Sequence, residues 1–266
     1  DIRDTENCVQ ELEQTIEDPS PLDLSAEVTT PMSCSNNYTA IVTVTAQGGS
    51  GTFEYRLEGE NGYIADFQSA NTFTVVGIEN IGNYTISVKD QNGCTSPTEA
   101  TVELVAPETV DITLDTDTCI TENGSIYVNV NNGNGDYQFS LDNINWVNPD
   151  SSTPSSYTFD GLVPGLTYTV YVKDGMGCPD SETITLNEPL SVTAASQTSI
   201  TCFNSADGSL SIDVRNFKTS YTYSLDGIEE GNTHTQSSLL IDNISSGDHT
   251  IVITDHNGCT VSYDFK

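Results

Sequence analysis

The strongest constraint on this chain is a stretch of eleven residues that occurs three times. It reads Tyr84-Thr-Ile-Ser-Val-Lys-Asp-Gln-Asn-Gly-Cys94, then Tyr168-Thr-Val-Tyr-Val-Lys-Asp-Gly-Met-Gly-Cys178, then His249-Thr-Ile-Val-Ile-Thr-Asp-His-Asn-Gly-Cys259. Its closing cysteines are spaced by 84 and 81 residues. Apolar residues alternate inside the motif, the signature of a half-buried strand. A period this long predicts an array of small domains, because solenoid units recur at about 20–50 residues. The Asp-to-Cys spacing of four also occurs at Asp4 and Cys8, 86 residues before Cys94. The chain is therefore expected to open on the tail of a preceding repeat (1–18), with further repeats over 19–106, 107–188 and 189–266. Residues 9–16 read as the last strand of that preceding repeat, or as a strand able to complete a neighbour by strand addition. Asp18-Pro19, Pro107-Glu108 and Glu188-Pro189 mark the boundaries, where a residue that cannot donate to a ladder is at home.

Within each repeat, seven short strand signals recur in one order, separated by turn residues, with no helical periodicity. Gly48-Gly49-Ser50-Gly51 and Asn132-Gly133-Asn134-Gly135 are turns after the second strand, and the third repeat departs with Asn216-Phe-Lys-Thr-Ser220. Asp142-Asn143 and Asp226-Gly227 read as tight hairpin turns after the third strand. The fold class expected is all-β: immunoglobulin-like seven-stranded sandwiches in tandem, forming an extended rod.

Charge and cysteine placement narrow the setting. Thirty-nine acidic residues against seven basic ones leave a net charge of −32, which excludes electrostatic binding of nucleic acid or an anionic membrane. No run of about 18 apolar residues is present to span a bilayer. The seven cysteines fall into two series, Cys34, Cys119, Cys202 and Cys8, Cys94, Cys178, Cys259. None lie close enough in sequence to form a zinc ribbon, so disulfides in an oxidising, extracellular setting are expected, with buried thiols as the alternative.

Cys202-Phe-Asn-Ser-Ala-Asp-Gly208-Ser-Leu210, an aromatic third strand, and the Tyr-Thr-Val-x-Val-x-Asp-x-x-Gly-Cys motif together resemble the SprB-type repeat of large surface adhesins of gliding bacteria. The second repeat is one residue shorter at Cys119-Ile-Thr-Glu-Asn-Gly124, and the first, Cys34-Ser-Asn-Asn-Tyr38, lacks the Gly-Ser. The resemblance implies export, a tandem array, a role in surface contact and no catalytic residues.

Several residues are candidates for chemistry. Asp90, Asp174 and Asp255 recur with a glycine three residues on, as in an Asx-type turn. Paired with Asp18, Glu108 and Glu188 at the junctions, they are also candidate Ca2+ ligands, since hard cations take carboxylate oxygens. Trp146, in a variable loop, is either a packed aromatic or a stacking platform for a sugar. The three histidines all lie in the third repeat, where His249 replaces a tyrosine, so no repeated catalytic constellation exists. Strand direction predicts the disulfides. Alternating strands put the cysteine after the first strand at one end of a repeat and the cysteine after the sixth at the other, roughly 20–25 Å away. A disulfide needs Cα atoms about 4.4–6.8 Å apart, so cysteines of neighbouring repeats are expected to pair: Cys34–Cys178 and Cys119–Cys259. Cys8, Cys94 and Cys202 then stay unpaired within this segment. The function expected is a non-enzymatic stalk of a surface adhesin or fibre, its partners being neighbouring repeats of the same or another chain. The alternative is a carbohydrate-binding or calcium-dependent module using the loops between the third and fifth strands to reach a surface or polysaccharide ligand.

Overall fold

The computed structural model describes the backbone at residues 2–3, 6, 9–10 and 13–15, and residues 18–202 and 205–266 throughout. Two compact units divide it, Asp1–Pro107 and Glu108–Lys266. In the first, β1 (Ile2–Arg3) pairs antiparallel with β2 (Val9–Gln10). Residues 13–15 of the strand expected at 9–16 are not in a strand, and residues 11, 12 and 16 lie outside the described residues, as does Cys8.

The sandwich of the first unit has two sheets. β3 (Asp23–Thr30), β4 (Thr39–Gln47) and β7 (Thr72–Val76) form one, in the order β3-β4-β7. β5 (Phe53–Gly59), β6 (Ile64–Gln68), β8 (Gly82–Asp90) and β9 (Ala100–Leu104) form the other, in the order β6-β5-β8-β9. Strict alternation builds the core: Ala40, Val42 and Val44 of β4 face Tyr84, Ile86 and Val88 of β8, all of them fully buried. One 3-10 turn, Ile78–Asn80, leads into β8. Gly48 is obligatory, since its φ is +79° and a Cβ there would sit 2.0 Å from the Pro21 carbonyl oxygen.

The second unit holds two such sandwiches. The first pairs the sheet β10 (Asp111–Thr116), β11 (Gly124–Asn132) and β13 (Ser156–Leu162) with the sheet β12 (Gln138–Ser140), β14 (Thr167–Lys173) and β15 (Pro179–Thr185). The second pairs β16 (Ser191–Thr198), β17 (Gly208–Arg215) and β20 (Ser238–Ile244) with β18 (Tyr221–Leu225), β19 (Ile228–Glu229), β21 (His249–Asp255) and β22 (Thr260–Phe265). In the first and third sandwiches the first, second and fifth strands make one sheet, and the third, fourth, sixth and seventh the other; the middle sandwich keeps this plan with six strands instead of the expected seven, its fourth reduced to a single bridge between Phe139 and Val147.

One turn differs from the sequence expectation. Asp226-Gly227 is a two-residue hairpin with φ of 52° and 82° at its centre, the left-handed pair such a turn requires. Asp142-Asn143 is not. Ser140 and Asp142 instead gather the loop: Ser140 Oγ accepts from Asp142 N and Asn143 N, and Asp142 Oδ1 accepts from Ile144 N and Asn145 N. The chain returns only at Val147, which exchanges two backbone hydrogen bonds with Phe139. These local side-chain acceptors outcompete the ladder that a tight hairpin would have extended.

Candidate functional site

The repeated Asp is a backbone staple. In β8, Asp90 Oδ1 accepts from Asn92 N and Cys94 N, both at 2.9 Å, and Oδ2 accepts from Ser50 N at 3.0 Å. Asp174 does the same with Met176 N, Cys178 N and Asn134 N. Asp255 receives Asn257 N, Cys259 N and Lys218 N. All three are buried. Burial alone would raise the Asp90 carboxyl, but the N–H groups of Cys94, Ser50 and Asn92 outweigh it and hold it below the usual carboxylate range. The staple thus joins the turn after the second strand to the turn after the sixth, and it aims the cysteine.

That aim matters at the junction within Glu108–Lys266. Cys259, in the turn after β21, is bonded to Cys119, in the turn after β10, with Cα atoms 5.2 Å apart. The Cys259 sulfur lies 3.4 Å from the Thr118 carbonyl oxygen. Ile120 and Thr118 from one sandwich meet Leu190, Lys218 and Asp255 from the other, leaving a gap of only about 10 Å3. Lys218 spans the seam: its Nζ donates to Asn187 Oδ1 at 2.7 Å. The sequence reading passed over Lys218. Its only signal was a basic residue in an acidic chain, at the one turn that departs from the Gly/Asn pattern. Cys34 and Cys178 are also disulfide-bonded, while Cys94 and Cys202 are free and exposed.

The other candidates sit as follows. Glu108 engages Asn134 through its backbone, donating its N–H to Oδ1 and accepting from Nδ2. Glu188 lies against Gly165, and together with Asp255 it borders the junction gap. Asp18 is exposed. Among the described residues, no three His, Cys, Asp or Glu come together to hold a metal ion. Trp146 is partly buried, with Lys173 Nζ 4.1 Å from its ring centroid, so one face is covered.

The head of the sixth strand carries a further device. Tyr84 Oη donates to Asn80 O at 2.7 Å, and Tyr168 Oη bonds Val163 O and N. A tyrosine whose hydroxyl reaches back to the backbone a few residues upstream is the tyrosine corner of immunoglobulin-like sandwiches. In the third repeat His249 takes over. Its Nε2 meets Ser245 O at 3.0 Å and its Nδ1 meets Asp226 Oδ2 at 2.7 Å. Both partners are acceptors, so satisfying both requires the imidazolium. The Asp226 carboxylate accordingly raises the His249 pKa, burial opposes this, and the Ser245 carbonyl adds to the rise.

Residues 26–62 and 194–229 match the SprB repeat family. The matches cover the first three strands of the first sandwich and the first four of the third. No curated protein matches the chain. Among solved structures, the three N-terminal domains of the highly immunogenic outer capsid protein of bacteriophage RB49 are similar. They share 13% identity with this chain at a TM-score of 0.50, over 92% of it and 96% of the phage chain. That likeness is one of fold. A 1.5-MDa bacterial ice-binding adhesin aligns over 94% of this chain and 97% of its own, at 13% identity and a TM-score of 0.39. No helix among the described residues is long and apolar enough to cross a membrane.

Proposed function

We propose that this segment is a non-enzymatic stalk of an extracellular bacterial adhesin or fibre, whose junctions are clamped by disulfides between neighbouring repeats. The observation that carries the reading is the Cys119–Cys259 bond, which ties the end of one sandwich to the start of the next. That bond crosses between two sandwiches and closes neither one. It restricts bending and separation at the seam, which is what a stalk under tension needs. We assign Cys34 and Cys178 to each other on the same scheme: they occupy the same two turns one repeat earlier. Buried carboxylates, the titratable groups from which catalysis could draw, are here occupied by backbone N–H donors. The SprB-repeat matches support the surface setting, as do the disulfides, which persist in oxidising surroundings. Small-angle scattering before and after a reductant tests the stalk. The oxidised protein is expected to give one narrow distribution of end-to-end distances that reduction broadens. Identical profiles would overturn the clamp.

A further inference from the structure

We propose that the middle sandwich carries a binding cleft for a neutral glycan, set between the start of its third strand and the loop that stands in for its fourth. The site is independent of the clamp and would add adhesion to the stalk. Its basis is the contrast between the three sandwiches. In the first and third, the third strand is flanked by a paired fourth strand: β6 lies on β5, and β19 on β18. In the middle one, pairing stops after the Phe139–Val147 bridge, because Pro149 has no N–H to give to a ladder. Side chains take over from the backbone, and Gln138 Nε2 donates to Asn148 Oδ1 at 3.0 Å. Around that bond lies a cleft of about 340 Å3, lined by Asp136, Tyr137, Gln138, Asn148, Pro149 and Pro154. Its size falls within the range of about 300–1,000 Å3 in which small ligands are held.

Both walls are braced. On the loop side, Asp150 Oδ1 accepts from the N–H and the Oγ of Ser152, and Asp150 O accepts from Thr153 N at 3.0 Å, which fixes the turn between the two prolines. On the strand side, the Tyr137 ring rests against Gly133, where a Cβ would come within 3.0 Å of it. Asp136 is exposed at a φ of 49°, and no donor among the described residues meets its carboxylate. The ligand class follows from these groups. A carboxylate without a partner and two amides are suited to the hydroxyls of a sugar, since vicinal hydroxyls can donate to one carboxylate. Tyr137 and the prolines offer apolar surface to the C–H face of a sugar ring. No lysine or arginine lines the cleft, so a phosphate or an acidic sugar would find no counter-charge there, and the net charge of −32 repels it. A neutral glycan meets both conditions, with hydroxyls for Asp136 and the amides and a ring face for Tyr137.

The only tryptophan of the chain reports on this cleft. Trp146 comes two residues before Asn148, and 4.1 Å from its ring centroid lies the Nζ of Lys173, the register partner of Gln138. The test titrates the full chain with gluco-, manno-, galacto- and xylo-oligosaccharides, with alginate and with polylysine, and follows Trp146 emission. At least one of the neutral sugars is expected to give a saturable change that EDTA and high salt leave in place. Asp136→Gly should weaken that binding about tenfold. It should keep the melting temperature, because glycine suits a φ of 49°. Asn148→Ala, at an exposed position, should weaken binding as well by breaking the amide pair. Emission unmoved by every neutral sugar, binding at full strength in Asp136→Gly, or a change given by alginate or polylysine alone would each overturn the proposal.

Discussion

The end of the second repeat and the end of the third are built alike and differ in what lies over them. Both place a cysteine in the turn after the first strand and an isoleucine over the glycine that opens the second strand. Under the neighbouring sandwich the isoleucine is buried and the cysteine bonded; at the other end, the isoleucine is half-buried and the cysteine free. The difference teaches that these turns are made for contact. At the seam within Glu108–Lys266 the apolar side chain, the cysteine and the stapled turn meet in one place.

The largest effect should come from removing the clamp at the covered end. Cys119→Ser with Cys259→Ser opens a loop of 140 residues and is expected to cost about 3–5 kcal/mol. Denaturant unfolding of Glu108–Lys266 measures it, and the same variant should leave the first unit untouched. Next is the staple. Asp255→Ala strands three N–H groups and should cost about 2–3 kcal/mol, and it should slow the re-formation of Cys119–Cys259 after reduction. Asp90→Ala should destabilise the first unit by a similar amount while leaving that bond alone. A variant that lost stability equally but re-formed the bond at the normal rate would show that the staple does not aim the cysteine.

A smaller effect separates the third repeat from the other two. His249→Phe removes two hydrogen bonds at the head of the sixth strand and should cost about 1–2 kcal/mol. The His249 pKa is raised in the fold above its ordinary 6.5, so its contribution is full below about 6.5 and fades as pH rises through the folded value. Asp226, held low first by His249 and then by the Thr250 N–H, contributes above the ordinary 3.8 and loses that contribution as pH falls through its folded value. His249→Tyr, restoring the residue of the other repeats, should flatten the alkaline decline in melting temperature. A slope that survives the change would place its origin elsewhere. The smallest effect is expected at the seam's surface, where Lys218→Ala should cost less than about 1 kcal/mol and respond to salt.

Much of the fold could be read from local pattern. Alternation in Tyr84–Asp90 and Gly208–Val214 is a property of neighbours in sequence, and the structure buries those alternate residues. Strand direction then carries the reading to the seam, because counting seven alternating strands says which turn lies at which end. What pattern did not convey depends on partners distant in sequence or on competing side chains. Asp142 draws four donors to itself, three of them from Asn145 and Ile144, and turns an expected hairpin into a loop. His249 has its carboxylate partner 23 residues away, in the turn that follows the neighbouring strand β18, so its periodicity said core and nothing about charge. Asp90, Asp174 and Asp255 carried two readings in sequence, and only the positions of the N–H donors assign their oxygens.

Single-molecule pulling from the two ends tests the central claim most directly. With Cys119–Cys259 intact, the residues it encloses lie outside the path of force, so the fully unfolded chain is short. The account predicts that a reductant lengthens it by at least roughly 460–500 Å, the reach of 140 extended residues. An unfolded length that is the same with and without reductant would contradict it.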